Sequence, residues 1–263
     1  MFKNIIKGLK AYADGFSLIG KLKLWQFFLV PMAISFIIAG IVGLAAYGLS
    51  DNLANLISRL WIWEWGKEGF YTVAEWISGL SILLLGFILY KHLVMALSAP
   101  FMSPVSERIE KHFYPNARNH VEHRDTSNME QLWRGLRINL RNIAYEFAIT
   151  IPLLLLSFIP VIGIVFTVLA FIVQAYYAGF GNIDYTLERH FTYRDSVNFV
   201  KRHRGIAIGI GIVFMGGMLF IPIIGVILVL PFSVTAASRV TLEQMINEEN
   251  LKLPDPHKTQ INA

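Results

Sequence analysis

The chain has 263 residues, of which 55% are hydrophobic and 16% are charged, and it contains no cysteine. Soluble proteins are about 25% charged, so this composition excludes an intrinsically disordered chain, a disulfide scaffold and a thiolate metal site. A mean hydropathy of +0.52 indicates an integral membrane protein. The net charge of +5 comes from basic residues between apolar segments, where they set orientation in the membrane rather than bind nucleic acid.

The N-terminal segment predicts an amphipathic helix on the membrane surface. In residues 1–18, apolar side chains recur at helical spacing while Lys3, Lys7 and Lys10 lie on another face.

The first full transmembrane helix is predicted in residues 25–49, which contain no basic or acidic side chain. As a helix, residues 25–49 would be about 37 Å long, which is enough to cross a hydrocarbon core of about 30 Å.

The second full transmembrane helix is predicted at residues 76–97. Its one charged residue, Lys91, is close enough to the end to extend its ammonium group to the lipid headgroups. The segment between the two spans, residues 50–75, is expected to lie in the membrane interface because it is rich in tryptophan. Its central tryptophans are Trp61, Trp63 and Trp65.

Basic residues are distributed unevenly around these spans. Five lysines precede the first span and seven basic residues follow the second, whereas residues 50–75 contain only Arg59 and Lys67. By the positive-inside rule, the N-terminus and residues 103–146 are cytoplasmic and residues 50–75 lie outside.

The segment after the second span predicts a short cytoplasmic helix and then a polar loop. Ser103 can cap the helix, Pro104 fits its first position, and the helix would end at Phe113. Residues 115–128 are polar. The histidines and acids of this region are irregularly spaced, so a solvated loop is favoured over a metal site. They are His112, His120, Glu122, His123 and Asp125.

Two apolar stretches near the C-terminus, residues 147–183 and 206–238, predict re-entrant, hemi-penetrating helical hairpins. In each, proline and glycine divide the stretch into arms of about 20 Å, too short for a core of about 30 Å. Basic residues follow both stretches, so the chain is expected to return to the cytoplasm each time. Residues 247–263 would form a polar tail.

Nearly the same hexapeptide occurs at both predicted hairpin tips. Residues 158–163 read FIPVIG and residues 220–225 read FIPIIG; the alternative is chance similarity between apolar segments. Proline ends one helix and glycine permits the reversal. The tip residues are Pro160, Gly163, Pro222 and Gly225. Helix N–H groups after Gly163 and Gly225 could bind an anion near the midplane, or neighbouring groups could satisfy them.

Several short motifs follow one another along the chain. They are Ser98-Ala99-Pro100-Phe101, Ser106-Glu107-Arg108-Ile109-Glu110, the two hexapeptides, Asp184-Tyr185 and Leu230-Pro231-Phe232. In this order they resemble landmarks of the CysZ sulfate-permease family, which includes the etoposide-induced membrane proteins. Pro100, Phe101 and Glu107 are the motif positions taken from this resemblance. It implies a bacterial inner-membrane protein that imports sulfate for cysteine biosynthesis and assembles as a homo-oligomer with two full spans and two hairpins.

One landmark of the sulfate permeases is altered here. The family has Gly-Leu-Arg-Arg just ahead of the first span, where this chain reads KLWQ at residues 23–26. Lysine is a point charge, whereas arginine presents a planar fork to an oxyanion. Lys21 and Lys23 are therefore candidate anion-binding residues of limited selectivity, together with Gly163 and Gly225 at the hairpin tips.

The remaining residues favour a transporter over an enzyme. No nucleotide-binding loop, nucleophile elbow or zincin motif occurs, and no cofactor is expected. Gly205, Gly209 and Gly211 are expected to be helix-packing positions. Asp184 is expected to form a salt bridge with an arginine, with ion or proton coupling as the alternative.

Two classes of function remain open. The first is a sulfate-type anion permease or channel, and the second is a non-transporting membrane protein that acts through partner binding or bilayer shaping. The expected partners are the lipid bilayer, an inorganic oxyanion and further copies of the chain.

Overall fold

The computed structural model describes residues 1–58, 67–113, 127–159, 161–220 and 224–252, and these form helices joined by short turns. The helices are α1 (Phe2–Lys21), the 3-10 helix η1 (Leu24–Phe27), α2 (Leu29–Ser58), α3 (Lys67–Phe113), α4 (Asn128–Ser157), α5 (Gly163–Leu187), α6 (Tyr193–Arg202), α7 (Arg204–Phe220) and α8 (Ile224–Lys252). The predicted all-α class is confirmed for this part of the chain.

Four helical segments in the described part of the chain are long and apolar enough to cross a membrane. They are Leu24–Ala45, Leu85–Phe113, Asn128–Ser157 and Gly163–Leu187. This agrees with the prediction of a membrane protein. Some predictions fall on residues outside the described ranges, namely the three central tryptophans, most of the polar loop 115–128, Pro160, Pro222 and residues 253–263.

Helix α3 is one continuous helix of 47 residues, with Pro100 and Pro104 inside it. The prediction that Ser103 and Pro104 begin a separate helix was wrong. Packing carries the helix through the prolines, because Met102 and Val105 are fully buried against neighbouring helices. Tertiary contacts of this kind override local helix propensity.

Helices α4 and α5 form the first predicted hairpin, but both are longer than its apolar arms. With 30 and 25 residues they are about 45 Å and 37 Å long, so each is long enough to cross the membrane, and a re-entrant first hairpin stays a prediction. Helix α4 begins in polar sequence, where Ser127 and Glu130 form a capping box. The apolar stretch is therefore only the second half of a longer helix.

The second predicted hairpin corresponds to α7 and α8. Helix α7 has 17 residues and is about 26 Å long, shorter than a hydrocarbon core of about 30 Å. Helix α8 continues to Lys252, beyond the predicted start of the polar tail at Asn247. Between α6 and α7 the chain bends by 88°.

In the turn between α4 and α5, the residue with a left-handed backbone conformation is Val161, whose φ is 70°. Gly163 does not adopt a left-handed conformation. The prediction that glycine is needed there for its backbone freedom was therefore wrong. A Cβ atom on Gly163 would lie 2.0 Å from the carbonyl oxygen of Ser157. Glycine is required at this position because the chain folds back so closely.

Small residues bring α1, α5 and α7 together. A Cβ atom on Gly211 would lie 1.7 Å from the carbonyl oxygen of Ala175, and one on Gly209 would lie 2.3 Å from that of Ile5. The predicted packing role of the α7 glycines is confirmed. Helix α1 lies across α7 and α8, while its Phe2 and Phe16 side chains remain 73% and 70% exposed.

Candidate functional site

The two candidate lysines lie at the turn between α1 and η1. Lys21 is the last residue of α1, and Lys23 precedes η1 in a left-handed conformation with φ of 51°. Both side chains are exposed, and neither has an acidic partner among the described residues. A left-handed residue turns the chain sharply, so the two exposed lysines flank one turn of the chain.

Arg108 of α3 contacts the same turn. Its Nη1 donates a hydrogen bond to the carbonyl oxygen of Leu22 at 3.3 Å, and its guanidinium lies 4.8 Å from the centre of the Phe27 ring. With the Gln26 amide oxygen facing Arg108, that oxygen accepts hydrogen bonds from Nη1 and Nη2 at 2.5 Å and 3.0 Å. A guanidinium from α3 therefore lies beside the segment where the sulfate-permease landmark carries its arginines.

One face of α3 carries buried polar side chains along its length, and we call these the polar seam. Its members are Lys91, His92, Ser98, Ser103, Ser106 and Glu110. From Lys91 to Glu110 the helix rises about 29 Å, close to the hydrocarbon thickness of about 30 Å. Ionisable groups in the interior of a membrane protein are candidates for function.

At one end of the polar seam, Lys91 and His92 share the carboxylate of Glu146 on α4. Lys91 Nζ lies 2.5 Å from Glu146 Oε1, and His92 Nε2 lies 2.8 Å from Oε2. All three side chains are fully buried. The prediction that Lys91 extends to the headgroups was wrong, because Glu146 supplies a counter-charge inside the protein.

Asn139 contacts the second ring nitrogen of His92. The Asn139 amide nitrogen donates to the carbonyl oxygen of Gly135 at 2.9 Å, so its oxygen faces His92 Nδ1, which lies 2.9 Å away. In this arrangement Nδ1 donates to Asn139, while Nε2 faces the Glu146 carboxylate.

At the other end of the polar seam, Glu110 pairs with two consecutive residues that follow α5. Arg189 Nη2 lies 2.6 Å from Glu110 Oε2, and His190 Nε2 lies 3.2 Å from the same oxygen. Arg189 also donates to the Ser103 carbonyl oxygen and the Ser106 hydroxyl, both at 3.0 Å. The guanidinium thus joins three members of the polar seam in one buried network.

Asp184 forms a salt bridge with Arg134 of α4. The distance from Arg134 Nη2 to Asp184 Oδ1 is 3.1 Å, and both side chains are largely buried. Arg134 also donates to the Phe191 carbonyl oxygen at 2.7 Å and to the Ser196 hydroxyl at 2.6 Å. The pair therefore links α4, α5 and α6; a coupling role for Asp184 remains a prediction.

Residues 11–231 match the profile of the family described as sulfate transporter CysZ/etoposide-induced protein 2.4. The chain belongs to this family. The matched region contains the α1–η1 turn, the polar seam and the first hairpin. No curated protein matches the chain. Membership of the CysZ/etoposide-induced family indicates a sulfate transporter-like membrane protein.

The CysZ motif positions have different surroundings. Pro100 lies within α3, and Phe101 next to it is exposed. Glu107 lies 2.6 Å from Lys111, one turn further along the helix. These positions are thus part of the helix that carries Arg108 and the polar seam.

The tip of the first hairpin offers fewer free donors than the sequence predicts. The Gly163 N–H donates to the carbonyl oxygen of Ile159 at 2.8 Å, and the Val165 N–H donates to that of Ile162 at 3.0 Å. Val161 and Ile164 are 93% and 72% exposed, so the tip lies at the surface of the single chain. Gly225 lies in the first turn of α8. The structure therefore does not bring Gly163 into the lysine and arginine cluster at the α1–η1 turn.

Sequence reasoning missed Arg108 and the buried partners of Lys91. Arg108 is within a CysZ motif and Lys91 is the one charge in an apolar stretch, so both carried a signal. Their partners come from η1 and α4, however, and no sequence pattern brings these segments together.

Proposed function

We propose that the chain is a permease or channel for an inorganic oxyanion of the sulfate type. The observation that carries this proposal is Arg108, whose guanidinium lies at the turn that presents Lys21 and Lys23. Two ammonium groups attract an anion at long range, and the Arg108 guanidinium adds directional hydrogen bonds when an anion takes the place of the Gln26 oxygen. This combination compensates for the missing Gly-Leu-Arg-Arg element of the family.

The polar seam supports a route from this turn towards the interior. Ser106 and Glu110 lie on the same stretch of α3 as Arg108 but on its buried side. In the present arrangement the Arg189 guanidinium is paired with Glu110, so an anion has to compete with this carboxylate. We propose that conduction requires the Arg189–Glu110 pair to separate.

The proposed location is the bacterial inner membrane, with both termini in the cytoplasm. The distribution of basic residues supports this orientation. The short length of α7 supports a re-entrant second hairpin, and the first hairpin is proposed to be re-entrant by analogy with it. The exposed apolar tip at Val161 and Ile164 supports cover by lipid or by another copy in a homo-oligomer. Uptake of sulfate for cysteine biosynthesis follows as the proposed physiological role.

The second candidate is a non-transporting membrane protein of the same fold that acts through partner binding or bilayer shaping. The charge pairing in the polar seam favours this second candidate, because the buried Lys91 and Arg189 both have acidic partners. A purely structural network would have the same pairing.

Calorimetric titration of sulfate into the purified protein in an uncharged detergent tests the proposed site. Arg108→Gln should weaken sulfate binding about tenfold or more, since a charged hydrogen bond contributes about 1.5–3 kcal/mol. Lys21→Ala with Lys23→Ala should weaken it less. The matched control is Arg194→Gln, which removes an exposed arginine from α6. Equal sulfate affinity in all four proteins would contradict the assignment of this turn.

A further inference from the structure

A second charged region lies between α1 and α8, around a cavity of about 280 Å³. It is lined by four cationic and two acidic side chains: Lys3, Lys7, Lys10, Arg239, Asp14 and Glu243. It involves the N-terminal half of α1 and the middle of α8, whereas the proposed sulfate site involves the α1–η1 turn and α3. We call this region the α1–α8 cavity.

The lysines of the α1–α8 cavity line up along α1. Lys3, Lys7 and Lys10 are separated by four and three residues, which places them on one face of a helix. Lys7 is bound by Glu243 of α8, with Nζ 2.8 Å from Oε1. Lys3 and Lys10 are exposed, and within the described ranges neither has an acidic partner. Two of the four positive charges are thus available to a ligand.

Arg239 provides a further donor in the α1–α8 cavity. Its guanidinium is held over the Phe113 ring, 4.4 Å from the ring centre, and this orders the side chain. Its Nη1 is buried and has no hydrogen-bond acceptor among the described residues, although it forms a long ion pair with Glu243, whose Oε2 is 3.7 Å away. A buried donor without an acceptor is unfavourable, so a bound oxyanion would relieve an existing penalty.

The surroundings of the α1–α8 cavity favour a ligand from the membrane surface. Phe2 and Phe16 of α1 are exposed, as in helices that lie among lipid headgroups. Basic pockets at the cytoplasmic surface of a membrane bind the phosphate groups of anionic lipids. Asp14 also lines the cavity, and its carboxylate could accept hydrogen bonds from hydroxyl groups next to a phosphate.

We propose that the α1–α8 cavity binds a phosphate group through Lys3, Lys10 and Arg239, presented by an anionic phospholipid such as phosphatidylglycerol or as the free ion. The phosphate oxygens accept hydrogen bonds from Arg239 Nη1, which has no other acceptor, while the two exposed lysines neutralise the charge.

The test measures binding of short-chain phosphatidylglycerol, short-chain phosphatidylcholine and inorganic phosphate to the full chain in an uncharged detergent by calorimetry. The informative variant is Lys3→Gln with Lys10→Gln, because both lysines are exposed and the fold does not depend on them. Each basic residue near an anionic headgroup contributes about 1 kcal/mol, so the variant should weaken phosphatidylglycerol binding at least about tenfold. The matched control, Arg194→Gln with Lys201→Gln, removes two exposed charges from α6 and should retain affinity within about twofold.

The outcomes separate the two sources of the phosphate. Binding of phosphatidylglycerol but not of inorganic phosphate supports a lipid site, and competition between the two supports a site for the phosphate group itself. Phosphatidylcholine binding as tight as phosphatidylglycerol binding would overturn the proposal, because acyl chains alone would account for it. Unchanged phosphatidylglycerol affinity in the double lysine variant would also overturn it.

Discussion

Glu146 is the single residue on which the buried charges of the polar seam depend most. Its two carboxylate oxygens are divided between Lys91 and His92, and all three side chains have no contact with solvent. A buried charge that loses its partner is strongly destabilising, whereas replacement of a whole pair by apolar groups is often neutral. Glu146 therefore provides a sensitive test of this part of the structure.

Glu146→Gln should destabilise the protein by about 3–5 kcal/mol, because the Lys91 ammonium would remain buried without a counter-charge. Adding Lys91→Met to this variant should recover most of the lost stability. The measurement is thermal unfolding in detergent, followed by circular dichroism. Equal unfolding temperatures for Glu146→Gln and the wild type would contradict the buried pair.

Glu248 offers a pH-dependent contact near the end of α8. Its carboxylate lies 3.0 Å from Arg202 Nη2 and 2.7 Å from His203 Nε2. Burial raises the pKa of Glu248, but the hydrogen bonds from Arg202 and His203 outweigh burial and leave this pKa below its ordinary value. A carboxyl group with a lowered pKa in the folded state stabilises that state at pH values above its unfolded pKa.

Glu248→Gln should therefore lower the free energy of unfolding by about 0.2–1 kcal/mol at pH 7, a small value because the pair is partly exposed. The difference from the wild type should disappear as the pH falls below about 4.3, the ordinary pKa of glutamate, and through the lower folded pKa. Paired unfolding curves at pH 7 and pH 3 measure this difference. A difference that grew towards acid pH would have the wrong sign.

At the scale of helices, the turn between α4 and α5 depends on close contact between its two ends. Gly163→Ala should destabilise the hairpin by about 1–3 kcal/mol, because the added Cβ atom would collide with the Ser157 carbonyl oxygen. The matched control is Gly40→Ala in α2, where nothing lies within 4 Å of the added atom. Thermal unfolding should separate the two variants, and similar stability would contradict the geometry of this turn.

The elements predictable from sequence are those with local signals. The amphipathic pattern of residues 1–18 predicted α1, and the small residues of α7 predicted its close packing. The continuity of α3 through Pro100 and Pro104 was not predictable, because it results from packing against other helices. The same holds for Lys91: its apolar flanks indicate a lipid-facing span, and only the position of α4 shows that Glu146 neutralises it.

At the scale of the whole molecule, membrane orientation is the prediction that most needs a direct measurement. The chain contains no cysteine, so single cysteines can be introduced at Asn55, Asn119, Asn198 and Asn250. An impermeant thiol reagent applied to intact cells should label only Asn55→Cys, because the other three positions adjoin basic segments that are predicted to be cytoplasmic. Labelling of Asn198→Cys from outside would replace the model of two re-entrant hairpins with full spans.

The central claim is that the protein conducts an oxyanion, and flux of radiolabelled sulfate into proteoliposomes tests it most directly. The wild type should transport sulfate well above protein-free liposomes, and Arg108→Gln should reduce the rate about tenfold or more, because it removes the directional hydrogen bonds to the anion. Arg194→Gln should transport like the wild type. Sulfate flux no greater than that of protein-free liposomes would contradict the claim and favour the non-transporting alternative.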